Sequence, residues 1–211
     1  MVIKFSEKLM KKFGSIVLDT IDSLYKKKTV NWRLDWRNKR LVTNIQIWLK
    51  EQIANPSEDM LLLARKFEKY STHDRKIMSI LRWVNKNVKY KRDKDVWEIE
   101  EKWQTAEETL QKKTGDCEDG AVLIVVLARL NNIPHTQIKL TAGSVIGGGH
   151  CWVEYRASFD GVTRIMDWCY WFSPSPTHKR KPALQDTRYL DRWFRVNDVR
   201  GYGKFKYCMK K

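Results

Sequence analysis

Residues 121–130, AVLIVVLARL, carry a single charge in ten positions. No water-facing surface holds such a run, so the chain must wrap this segment in other apolar side chains. Its β-branched content would suit a buried strand. Its length, and the Asn131-Asn132-Ile133-Pro134 stop that follows, argue instead for a helix enclosed on all sides. Directly ahead stands TGDCED, residues 114–119, in which Asp116 has the place of an N-cap and Cys117 that of the first helical residue. A thiol there meets the unpaired N–H groups and the positive end of the helix dipole, which favour a thiolate. The carboxylates of Asp116, Glu118 and Asp119 oppose it. As a cap and two first-turn acids, these three residues have a purely structural explanation.

The chain changes character after Pro134. TQIKLTA, a GSVIGGG turn, HCWVEYRA and TRIMDWCYW are short β-like runs separated by Gly, Ser or Asp, as an antiparallel sheet requires. Strand alternation puts His150, Trp152 and Glu154 on one face and Cys151, Val153 and Tyr155 on the other. Cys151 should therefore point away from whatever His150 faces, and Asp167 on the next run is in place to meet His150. Taken singly, Cys117 reads as a small buried hydrophobe and His150 as a turn residue. Together, a cysteine at a helix N-terminus, a histidine starting one strand and an aspartate on the next supply a nucleophile, a base and an orienting acid. Zinc is not expected, because alternation separates Cys151 and Cys169 from each other's partners and no CxxC or HxxxH spacing exists.

Upstream, apolar residues recur every three or four positions at Phe5, Leu9, Phe13, Val17, Ile21 and Leu24, predicting a helix. A second is expected over 39–53, and a third after Pro56 with Ser57 as its cap. A fourth is expected from residue 71, where Ser71 and Asp74 have capping-box spacing, and a short one opens on Thr105 and Glu108. We place a division near residue 71: a helical N-terminal extension, 1–70, and a main domain, 71–211. The fold class is α+β.

At 211 residues and 42% hydrophobic the chain can bury one substantial core. Its four cysteines form no dense framework, which suits reduced thiols. The N-terminus lacks the apolar core of a signal peptide and no window approaches eighteen apolar residues, so a cytoplasmic location without a membrane span is expected. The net charge is +16, whereas residues 95–120 hold nine acids against three bases, minus six locally. A basic remainder thus surrounds an acidic patch containing Cys117. The basic face is suited to an acidic protein or a nucleic-acid surface, although KKK (26–28), RNKR (37–40) and HKRK (178–181) come with no nucleic-acid motif and read as solvated surface.

WQTAEETLQKKTGDCEDGAVL, GGGHCWVEY and RIMDW, in this order, resemble the transglutaminase-like cysteine protease and acyltransferase superfamily, a rearranged relative of the papain-like fold. The GDCED run is similar to that of its bacterial calcium-dependent cysteine proteinases. The resemblance covers residues 72–200. It implies a nucleophile helix packed on an antiparallel sheet, with Cys117 as nucleophile, His150 as general base and Asp167 orienting the imidazole. Gln104 or Trp103 would lend oxyanion-hole help beside the Cys117 N–H. It also implies a protein or peptide substrate, a thioester intermediate and no organic cofactor; calcium would sit on Asp116, Glu118 and Asp119. Hydrolysis of a peptide or isopeptide bond is the first expectation. Transamidation or deamidation of glutamine is the second, and a non-catalytic binding module of a larger assembly the third.

Overall fold

The computed structural model describes residues 39–98 and 102–203. The helix expected around Phe5 to Leu24, the basic runs at 26–28 and 37–38, and Cys208 lie outside the described residues. Among the described residues six helices precede the main sheet: α1 (Lys39–Ala54), α2 (Glu58–Arg65), α3 (His73–Asn87), α4 (Asp93–Trp97), α5 (Ala106–Lys112) and α6 (Cys117–Leu130). Two short strands, β1 (Lys89–Tyr90) and β2 (Thr114–Gly115), pair in parallel. The sheet follows as β3 (Ile138–Val145), β4 (Gly148–Arg156), β5 (Thr163–Met166), β6 (Tyr189–Val196) and β7 (Gly201–Gly203), antiparallel in the order β5-β4-β3-β6-β7.

The apolar run is a helix, and every residue from Glu118 to Ala128 is buried. Each of its enclosed Val, Leu and Ile side chains contributes about 1.5–3 kcal/mol by leaving water, more than the helix propensity lost to β-branching. α6 packs on β3 and β4 on one side and on α1, α2, α3 and α5 on the others. One core cluster therefore joins Val42, Leu49, Met60 and Leu63 of the first two helices to Ile77, Leu81, Val122, Leu123, Val153 and Phe194. Helices α1 and α2 precede the division placed near residue 71, yet they share this core. No described helix is long and apolar enough to cross a membrane.

Local signals mostly hold. Ser57 caps α2 through Met60 N–H, and Thr105 with Glu108 closes a capping box on α5. At α3 the cap is Thr72, not Ser71: its hydroxyl accepts from Arg75 N–H, and the Asp74 carboxylate turns away to accept from Ser158 N–H. The expected GSVIGGG turn is shorter than its glycines suggest, because Gly143, Ser144 and Val145 pair with β4 and only Ile146 and Gly147 reverse the chain. Gly147, at φ 105°, supplies a backbone conformation that other residues adopt only under strain. TRIMDWCYW is a strand only as far as Met166, so Asp167 begins a loop.

Candidate active site

α6 begins where Asp116 caps it, and Asp119 reaches back so that its carboxylate accepts from Asp116 N–H at 3.2 Å. This reciprocal cap fixes Cys117 as the first helical residue. The Cys117 thiol donates to Glu118 Oε2 at 3.2 Å. Burial, then the charge of Asp116 and the neighbouring thiols of Cys151 and Cys169, pushes that thiol well above its ordinary range, and the bond to Glu118 only partly offsets this. Desolvation and like charge thus act on the Cys117 thiol in the opposite sense to the helix dipole.

The sheet brings His150 and Asp167 together. His150 Nε2 lies 2.8 Å from Asp167 Oδ2, and both residues are buried. Tyr189 OH donates to the same oxygen at 2.7 Å, while Cys169 N–H and Tyr170 N–H donate to Oδ1 at 3.0 and 3.3 Å. Burial alone would raise the Asp167 pKa, but His150, Tyr189 and the Cys169 N–H together hold it below the usual carboxylate range. Asp167 is thus an ionised acid in an apolar setting. The Cys169 thiol joins the same hydrogen-bonded network, donating to Asp167 Oδ1 at 3.6 Å. The other imidazole nitrogen, Nδ1, is buried with no hydrogen-bond partner, so thiol and imidazole are not hydrogen-bonded to each other.

Trp168 connects this acid to Cys117. Its indole N–H donates to the Cys117 carbonyl at 3.0 Å, and its ring lies over Gly120, where an added Cβ would come within 2.2 Å of it. Cys151 packs with the α6 core, while Trp152 on the opposite face joins Val145, Ile165, Ala183 and Tyr189, as the alternation requires. The His150 ring lies parallel to Tyr170, centroids 4.2 Å apart at 4°.

Gln104 and Trp103 occupy different surroundings. The Gln104 side-chain amide donates to Asp119 Oδ2 at 2.6 Å and to the Thr114 carbonyl at 3.2 Å, and its backbone N–H donates to Asp119 Oδ1 at 2.7 Å. Both side-chain donors point at protein acceptors. Trp103 packs against Trp48, 6.3 Å between centroids.

The flanking acids divide. Asp116 and Asp119 converge with Asp93, their oxygens within 4.8 Å of one another, whereas Glu118 groups with Cys117 and Asp116. Burial, reinforced by Asp116, raises Asp119 to about 8 despite three N–H donors, and burial also raises Asp93. Hard oxygens gathered at such electrostatic cost match the donor set of Ca²⁺. Sequence reasoning missed Asp93, 23 positions before Asp116, because nothing local ties α4 to the α6 cap. It also missed Tyr189, whose bond to Asp167 depends on β6 lying beside β3. For Tyr170 a signal existed: the aromatic pair in DWCYW directly after the acid.

A cysteine opening a buried helix that packs on an antiparallel sheet, with a hydrogen-bonded histidine–aspartate pair at that sheet, fits a class also visible in sequence: the family model of the transglutaminase-like superfamily matches residues 62–169. That is half of the chain, and the chain belongs to this superfamily. In solved structures the fold is similar to EGTA-treated LapG of Legionella pneumophila, with TM-score 0.55, 14% identity, and coverage of 75% of this chain and 85% of that one. LapG in a second structure gives the same TM-score and identity over 75% and 87%. Calcium-bound LapG matches at TM-score 0.49 and 13% identity over 88% and 87%. Among curated proteins no relative matches in sequence.

Proposed function

We propose that the protein is a cysteine-dependent acyl-transfer enzyme acting on a peptide, isopeptide or side-chain amide, with hydrolysis its main outcome. The observation that carries this reading is His150: one nitrogen is held by a buried, ionised Asp167 and the other is unpartnered. For reaction the Cys117 thiol turns from Glu118 and gives its proton to Nδ1. Its sulfur then bonds to the amide carbonyl carbon, and the resulting oxyanion is met by the Cys117 backbone N–H at the start of α6. The C–N bond breaks as the amine takes the proton from the imidazolium. Water, deprotonated by His150, cleaves the thioester; an amine in its place gives transamidation. Gln104 serves this site through Asp119, which it braces, and Trp103 packs behind it.

Asp93, Asp116 and Asp119 would hold Ca²⁺, with Glu118 beside the thiol rather than in that set. The ion would supply positive charge next to the cap and offset the repulsion that opposes a Cys117 thiolate. A second reading, a binding module that retains the fold without turnover, is favoured by the upward push on the Cys117 thiol and its bond to Glu118. Partners on the basic face belong to that reading.

Iodoacetamide labelling followed by mass spectrometry separates the two. An enzyme should alkylate first at Cys117 near neutral pH, ahead of Cys151, Cys169 and Cys208, and His150→Ala should remove that preference. Equal labelling of Cys117 and Cys208 would overturn the catalytic reading.

A further inference from the structure

The second tie between the nucleophile's side of the site and the base's side is a pair of tyrosines. Tyr90 stands on β1 opposite Gly115 of β2, two residues ahead of Cys117, so its position is coupled to the approach of the nucleophile. Tyr170 follows Asp167 by three residues, and its own N–H donates to Asp167 Oδ1. Their hydroxyls share a hydrogen bond at 3.2 Å, with ring centroids 5.7 Å apart. Both rings are partly open to solvent, at 40% and 47% exposure, unlike the buried His150 that Tyr170 covers. Both phenols lie near enough to Cys117 for a thiolate there to oppose their own ionisation.

The Nε2 hydrogen bond fixes one point of the imidazole, and its freedom to tilt about that point is limited loosely by Trp152, 6.0 Å away at 27°, and most closely by Tyr170 at 4.2 Å. A face-to-face aromatic neighbour removes that freedom, and Trp171, edge-on to both His150 and Tyr170, limits sliding of the stack. Tyr170 is itself at a loop surface, where a lone ring would be mobile. Tyr90 anchors it.

We propose that Tyr170 is a positioning residue for His150, holding the imidazole plane by stacking, and that the Tyr90 hydroxyl pins Tyr170 to the strand pair leading into Cys117. The two tyrosines thereby set the relative placement of base and nucleophile. This rests on the catalytic reading above.

The test compares Cys117 alkylation rates, Tm and the imidazole N–H resonance of His150 in the full chain. Tyr90→Phe and Tyr170→Phe each remove the shared hydrogen bond and keep the stack, so each should slow alkylation by roughly two- to tenfold. The double variant should be no slower than either single one, because both delete one interaction. Tyr170→Leu removes the stack and should slow alkylation about a hundredfold, with the His150 N–H signal broadened, and Tyr170→Trp should recover most of the rate. If Tyr170→Leu proves too unstable, the Phe variants and Tyr170→Trp still decide through the N–H signal. Parent-like rates and spectra in all variants would overturn the proposal while the parent still labels selectively at Cys117. Loss of selective labelling in the parent would instead overturn the catalytic reading.

Discussion

Asp119 is the residue at which cap, cluster and chemistry meet. It accepts from Asp116 N–H and from two Gln104 N–H groups, yet its pKa rises to about 8 because it is fully buried next to Asp116. An unfolded aspartate titrates near 3.9, so between about pH 4 and 8 the folded chain keeps a proton that the unfolded chain releases. The stability from this group is complete below the unfolded value and is lost as pH rises through the folded one. In chelator, the Tm should fall from about pH 5 to about pH 8, and Asp119→Asn should flatten that decline. A parent Tm that stays level over this range would contradict it. Calcium at a hundredfold excess over its dissociation constant should add about 2.7 kcal/mol, seen as a rise in Tm that EGTA reverses and Asp119→Asn abolishes. An unresponsive parent would leave the three acids as cap and dipole partners only.

At the scale of elements, α6 and the loop after β5 depend on each other through Gly120. A glycine inside a helix ordinarily costs about 0.5–1 kcal/mol relative to alanine. Here an alanine methyl would stand 2.2 Å from the Trp168 ring, a clash that overpacking data place at about 1–3 kcal/mol. Gly120→Ala should therefore destabilise the fold, and the displaced Trp168 should loosen its bond to the Cys117 carbonyl. Calorimetry checks the sign; a higher Tm would show that Trp168 moves without cost. Leu123→Ala, from a residue with no exposed surface, should cost more, about 2–5 kcal/mol, measured by denaturant unfolding. Much at this scale was legible. Ser57, Thr105 with Glu108, and Asp116 are caps because each puts an oxygen three residues ahead of an N–H that needs one. Thr72 displaced Ser71 because two adjacent hydroxyls offer the same local chemistry, and the Asp74–Ser158 contact 84 residues away decides between them.

For the whole molecule, the shared core makes α1 and α6 one unfolding unit. Leu49 is fully buried in the cluster that also holds Leu123 and Val153. Leu49→Ala should lower a single transition, with far-UV and tryptophan signals coincident, by about 2–5 kcal/mol. Two separated transitions would restore an independent N-terminal unit. What the sequence determined by itself is whatever depends on neighbours within a few positions: a helix too apolar to be exposed, its cap at Asp116, the thiol at its first residue, and the alternation that parts His150 from Cys151. The tertiary structure alone decided the long-range pairings: Asp93 joining Asp116 and Asp119, Tyr189 and His150 sharing Asp167, and Tyr90 reaching Tyr170. It also decided most of the upward push on the Cys117 thiol. Capping and amphipathicity are written in local spacing, as is the opposing charge of Asp116 next to Cys117, whereas the desolvation that does most to push this thiol up, and the approach of Cys151 and Cys169, come only with the packed fold.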